Sequence, residues 1–95
     1  MSLYGTVNGG PNTSTAITTP TFSSASNITN TTGQTITAYV QSAATTSLVI
    51  TVDGVTVANL AALTTTGNNF AAIRVPNNSV IKVTSAGGSW VWAAD

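Results

Sequence analysis

Residues 48–58 have the sequence LVITVDGVTVA, in which two runs of mostly β-branched residues flank Asp53-Gly54. An Asp-Gly pair between two such runs is a strong short-range signal for a β-hairpin with a two-residue turn, because both turn positions require a positive φ angle. These residues therefore predict two antiparallel strands joined by a tight turn.

The hairpin also predicts which side chains share a face. A two-residue turn places Val52 opposite Val55 and Ile50 opposite Val57. Leu48 extends the same apolar face. Because a slip of one residue would turn every side chain to the other face, a face this apolar specifies the register.

Short runs of strand-forming residues continue on both sides of this hairpin. Residues 36–41 alternate apolar and polar side chains, which is the period of a half-buried strand. Short strands at regular spacing with turn signals between them are typical of a small sandwich or barrel. The sequence therefore predicts an all-β fold, a small antiparallel β-sandwich or barrel of about six strands. The expected strands are 34–41, 48–52, 55–58, 70–75, 79–85 and 89–93.

A second hairpin is expected around Pro76-Asn77-Asn78. A three-residue loop pairs Ile73 with Ile81 and gathers the apolar side chains of both strands on one face. We prefer this loop to a four-residue loop, which would place Lys82 beside Ile73, because Asn78 tolerates the left-handed conformation that the shorter loop needs.

Residues 1–33 differ from the rest of the chain in composition. They are rich in Gly, Asn, Ser and Thr and contain few large apolar residues, so they cannot form a core of their own. We expect an extended N-terminal arm over 1–33, with a short strand near Ile17 or Phe22, that docks on another chain. The antiparallel β-domain is expected to occupy 34–95.

The titratable residues argue against enzymatic chemistry. Of the 95 residues, 38 are Thr, Ser or Asn, and there is no His, Cys or Glu. General acid–base catalysis needs groups that titrate near working pH, and metal sites need imidazole, thiolate or clustered carboxylates. We therefore expect no enzyme, no catalytic residues, no metal and no cofactor. The charged side chains of the sequence are Asp53, Arg74, Lys82 and Asp95.

Charge and hydropathy also argue against two kinds of partner. The formal net charge is zero and no basic patch is present, so nucleic-acid binding is not expected. No apolar run approaches the ~20 residues of a membrane-spanning helix. The first residues lack a cationic segment followed by an apolar one, so we expect no signal peptide and synthesis in the cytoplasm.

Trp90 and Trp92 lie two residues apart, so both rings project from the same side of one strand. Paired rings could stack on a sugar, but aromatic residues more often fill a core or a subunit contact. We favour core or subunit contact for both tryptophans, and for Tyr39 and Phe70. The candidate partner or oligomer contacts are Leu3, Tyr4, Ile17, Phe22, Trp90 and Trp92.

Several short motifs follow one another in a recognisable order from residue 30 onward. They are Asn30-Thr31-Thr32-Gly33, Tyr39-Val40, Asp53-Gly54, Val75-Pro76 and Trp90-Val91-Trp92. This order resembles a β-domain that recurs in small accessory virion proteins of tailed bacteriophages. The similarity covers about two-thirds of the chain.

The resemblance implies a structural virion component, a capsid decoration (cement) protein. Such a protein binds the major capsid protein on the capsid exterior, commonly as a homotrimer, and stabilises the assembled shell. It would be made in the host cytoplasm. The alternative is a tail or head fibre module that binds a host glycan through Trp90 and Trp92.

Overall fold

The computed structural model describes residues 17–43, 45–63 and 67–95, which form seven antiparallel β-strands in two sheets. No helix occurs in these three ranges. The predicted all-β fold is therefore confirmed, with one strand more than expected. The strands are β1 (Asn27–Thr29), β2 (Ile36–Ser42), β3 (Leu48–Val52), β4 (Val55–Leu60), β5 (Asn69–Val75), β6 (Val80–Thr84) and β7 (Gly88–Ala94).

The two sheets form a β-sandwich. One has four strands in the order β1-β6-β3-β4, and the other has three in the order β5-β2-β7. Alternate residues of each strand point into the space between the sheets, as the two-residue period of a strand requires. Each large aliphatic side chain buried there contributes about 1.5–3 kcal/mol. The buried core consists of Ile36, Ala38, Val40, Leu48, Ile50, Val75, Ile81, Val83, Trp90 and Trp92.

The hairpin between β3 and β4 has the predicted turn. Asp53 and Gly54 have φ angles of 51° and 83°, and Val52 pairs with Val55. The predicted pairing of Ile50 with Val57 is wrong, because the register shifts between Ile50 and Thr51 and Ile50 pairs with Ala58. Such a bulge places an extra residue on one strand and turns the following side chains. Val57 is accordingly exposed and not part of a buried face.

The predicted hairpin around residues 76–78 does not form. β5 pairs with β2 in the three-stranded sheet, whereas β6 pairs with β3 and β1 in the other sheet. The turn itself has the expected chemistry, since Asn78 has a φ of 69° and the Ser79 amide donates to the Pro76 carbonyl at 3.0 Å. It redirects the chain from one sheet to the other, because the apolar faces of its two strands pack against opposite sides of the core.

The side chain of Asn30 is fully buried and joins this turn to the connection between β1 and β2. Its Nδ2 donates to the carbonyls of Gln34 and Val75, both at 2.9 Å, and to that of Pro76 at 3.2 Å. Its Oδ1 accepts from the amide and the hydroxyl of Thr32, at 3.1 and 2.7 Å. A buried amide with this many partners ties two distant parts of the sequence together.

The expectation that residues 1–33 lie outside the domain's own core is wrong for residues 17–33. Within this range β1 pairs with β6, Asn30 is buried, and Phe22 and Ile28 pack against the core. The segment is short of apolar residues, but those it has fill gaps that the strands of 34–95 leave open. The predicted short strand near Ile17 or Phe22 is wrong, since residues 17–22 form no strand and the strand of this segment is β1.

Replacing Gly54 with Val should destabilise the fold by ~1–2 kcal/mol or more, because a β-branched residue is strained at positive φ. No atom lies within 4 Å of a Cβ built at Gly54, so the cost is backbone strain alone. Thermal unfolding measures it. The Gly54→Asn variant, whose new residue tolerates the left-handed region, is the matched control and should melt close to the wild type. Equal melting temperatures for both variants would contradict the turn.

Replacing Asn30 with Asp should cost about 3 kcal/mol or more, because the substitution removes the buried donor shared by three carbonyls and turns an oxygen toward them. Urea denaturation followed by tryptophan fluorescence measures this loss. Asn59→Asp, at an exposed position of β4, introduces the same charge and should change stability by less than about 0.5 kcal/mol. If both variants unfold at the same urea concentration, the Asn30 network does not stabilise the fold.

Candidate functional site

The outward surface of the three-stranded sheet carries a group of exposed apolar side chains. At the centre of this surface Tyr39 of β2 lies between Ala72 of β5 and Val91 of β7. At the next outward position of β2, Gln41 pairs with Phe70 of β5. We call this surface the outer face. It arises because the inward positions of the same strands are filled by core residues, so the alternate positions must point outward.

The aromatic side chains of the outer face contact each other and remain open to solvent. The rings of Tyr39 and Phe70 stack with centroids 6.4 Å apart at an interplanar angle of 26°. Tyr39 is 43% exposed, Phe70 is 59% exposed and Val91 is 60% exposed. Contiguous exposed apolar groups of this kind mark interaction surfaces more often than isolated ones do.

One end of the outer face carries its formal charges. Arg74 Nε lies 3.1 Å from Asp95 Oδ2, and Asp95 Oδ1 accepts from the Thr37 hydroxyl at 3.0 Å. An exposed ion pair of this kind contributes little to stability. It neutralises that end of the face and leaves the aromatic centre without charge.

The structure places Trp90 and Trp92, predicted as partner or oligomer contacts, inside this chain's own core. They are 8% and 4% exposed, and their ring centroids are 5.3 Å apart. The prediction that at least one of them is buried is confirmed. Trp90 Nε1 donates to the Pro20 carbonyl at 2.7 Å, and the Trp92 amide donates to the Thr19 hydroxyl at 3.0 Å. Little of either ring is left for a partner.

Two further predicted contact residues belong to the segment that covers these rings. Phe22 meets Trp90 edge to face with centroids 5.4 Å apart, and Ile17 packs against the core. The structure therefore brings Ile17 and Phe22 to the two tryptophans within one chain. Leu3 and Tyr4 lie outside the described residues.

Of the two roles predicted for Tyr39 and Phe70, burial in this chain's core is wrong, because both side chains are exposed on the outer face, and subunit contact stays a prediction. Sequence analysis also missed Val91, which lies between the two tryptophans. The signal was present in the alternation, since Tyr39 separates two inward residues of β2 and Val91 separates the two inward tryptophans. Which of two alternating sets faces the core depends on the second sheet, and that is a tertiary property.

The titratable groups are spread over the sandwich. Within the described ranges no three His, Cys, Asp or Glu side chains lie close enough to hold a metal ion. Asp53, at the tip of the β3–β4 hairpin, accepts from the Val80 amide at 2.9 Å. That hydrogen bond, with a second from Ser79, holds the pKa of Asp53 below its ordinary value, because both favour the charged form.

No family model, curated protein or solved structure matches the chain. Among the described residues, no helix is long and apolar enough to cross a membrane.

The lowered pKa of Asp53 predicts an acid-dependent loss of stability. The stabilising contribution is present above the ordinary value of 3.8 and is lost as the pH falls through the lower pKa of the folded protein. Melting temperatures measured from pH 5 down to pH 2 should therefore fall more steeply for the wild type than for Asp53→Asn. Asn keeps the turn conformation and an acceptor for the Val80 amide but does not titrate. Parallel curves for the two proteins would contradict the prediction.

Proposed function

We propose that this chain is a non-enzymatic structural protein of a bacteriophage virion. In this proposal it is a capsid decoration protein that binds the major capsid protein on the outside of the shell and stabilises the assembled particle. The observation that carries the proposal is the outer face, an exposed aromatic and aliphatic surface on a small domain of zero net charge. The resemblance to accessory virion proteins supplies the class of partner.

The outer face has the composition of an interface centre. Aromatic side chains dominate the binding energy of protein interfaces, and charged residues are depleted where an interface is fully buried. Here Tyr39, Phe70 and Val91 are exposed together, while Arg74 and Asp95 lie at one end. A partner that covers the centre would bury apolar area without removing an unpaired charge from water.

Zero net charge supports assembly in many copies. Decoration places copies of one protein side by side on a lattice, and like charges on neighbours would oppose this arrangement. Hydroxyl and amide groups supply solubility instead, since 38 of the 95 residues are Thr, Ser or Asn.

Stabilisation follows from binding to the assembled shell in preference to its free subunits. A ligand that binds one state stabilises that state by about 2.7 kcal/mol per site at a concentration of 100 times its Kd. A homotrimer would present three outer faces. Simultaneous engagement of linked faces raises the overall affinity without any new type of contact.

A fibre module that binds a host glycan through Trp90 and Trp92 has less support. Stacking on a sugar requires an open ring face, but both rings are nearly covered by strands and by residues of the segment 17–22. The exposed aromatic pair lies on the opposite side of the three-stranded sheet.

The double variant Tyr39→Ser/Phe70→Ser should lower the affinity of the full-length protein for undecorated phage heads by about tenfold or more, because it removes the aromatic centre of the outer face. Co-sedimentation gives the affinity, and thermal release of packaged DNA gives the stabilisation. Val55→Ser/Val57→Ser removes exposed apolar side chains from β4 on the other sheet and is the matched control.

Circular dichroism must first show that both double variants are folded. The proposal is wrong if the outer-face variant saturates heads like the wild type, or if wild-type protein in purified virions is found in the tail at a few copies per particle.

A further inference from the structure

A second surface feature lies away from the outer face. Residues 17–20 and the turn region 29–34 border a cleft of about 420 Å³, and Trp92 forms part of its wall. This volume falls within the ~300–1,000 Å³ typical of small-molecule sites. The cleft is therefore large enough to bind a small ligand, and its chemistry indicates which kind.

The polar lining of the cleft is neutral and rich in hydrogen-bonding groups. The described residues that line it include no charged side chain, so nothing there favours an ionic ligand. The hydroxyls of Thr18, Thr29 and Thr31 and the side-chain amide of Gln34 make no hydrogen bond to another described residue. A Thr hydroxyl donates one hydrogen bond and accepts two, which matches the hydroxyl groups of a sugar.

The apolar lining supplies the other half of the match. Ile17, Pro20 and Trp92 contribute hydrocarbon and indole surface beside the hydroxyls. Ligand sites commonly combine apolar walls with a few convergent polar groups. Sugars present this combination themselves, with C–H groups on the ring faces and hydroxyls at the edges.

Trp92 also has an unused donor. Its Nε1 is buried and has no hydrogen-bond partner in the part of the chain that the structure describes, whereas Trp90 Nε1 is bonded to Pro20. A buried N–H without an acceptor is destabilising, because it has lost its hydrogen bonds to water. Because Trp92 is only 4% exposed and its Nε1 is buried, an occupant of the cleft would change the surroundings of this N–H without bonding to it.

We propose that the cleft between residues 17–20 and 29–34 binds a neutral carbohydrate of one or two rings, held by threonine hydroxyls and Gln34 beside an apolar wall to which Trp92 contributes. This site does not use the open ring faces that the fibre-module alternative requires. It is also separate from the outer face, so it does not depend on binding to a capsid.

The two indole N–H resonances of the 15N-labelled full-length protein test the proposal. Maltose and N-acetylglucosamine serve as neutral probes, and glycerol serves as a non-specific control. Each is titrated to about 50 mM, so that binding with a Kd as high as the millimolar range is detected. We expect at least one sugar to shift the Trp92 resonance saturably. The Trp90 resonance should move much less, because Trp92 lines the cleft and Trp90 is not among its described lining residues.

Variants locate the binding. Thr31→Val and Gln34→Leu should each weaken the binding of that sugar by about tenfold, the cost of one lost hydrogen bond to a buried ligand. Thr56→Val, at an exposed position of β4, should not change it. The proposal is overturned if neither sugar produces a saturable shift, if glycerol reproduces the shift, or if the Thr31 and Gln34 variants bind like the wild type. Head binding by the same variants should stay normal, which separates this test from that of the capsid proposal.

Discussion

The buried amide of Asn30 is the contact on which the chain path of this sandwich depends. Its Nδ2 donates to the carbonyl of Gln34 close by in the sequence and to the distant carbonyls of Val75 and Pro76. Its own backbone amide and carbonyl bond to Ser79 and Asn78, each at 2.8 Å. At this end of the core the chain changes sheets between β5 and β6, so backbone groups leave the ladders and need other partners. Asn30 supplies several of these partners, through its side chain and through its backbone.

The burial of the two tryptophans of β7 depends on residues that come before β1 in the sequence. A domain of this size buries a modest fraction of its surface and has no cysteine for a disulfide, so additional covering segments matter. Phe22 packs on Trp90, and Thr19 accepts from the amide of Trp92 at the free edge of β7. The same contacts therefore complete the core and occupy part of an exposed sheet edge, which otherwise invites pairing with another chain.

The residues that stabilise the fold differ from the residues on which the proposed function depends. Asn30, Thr32 and Gly33 belong to the hydrogen-bond network that joins the β1–β2 connection to the β5–β6 turn. In this network the Gly33 amide donates to Asn77 Oδ1 at 3.0 Å. Trp90 and Trp92 belong to the core. These motifs are thus explained by folding. The proposed function depends instead on Tyr39, on Phe70 and Val91 beside it, and on the absence of charge from the centre of the outer face.

Local chemistry was sufficient to predict the all-β class, the Asp53-Gly54 turn, the positive φ of Asn78 and the burial of the tryptophans, because each depends on a few neighbouring residues or on apolar content. The partners of β5 and β6, the bulge at Val57 and the role of Asn30 required the folded chain. A short turn between two strands has the same local signals whether its strands pair with each other or cross between sheets. Likewise, alternation shows that Tyr39 and its neighbours face opposite sides, but only packing of the second sheet decides which side is buried and which is left as the outer face.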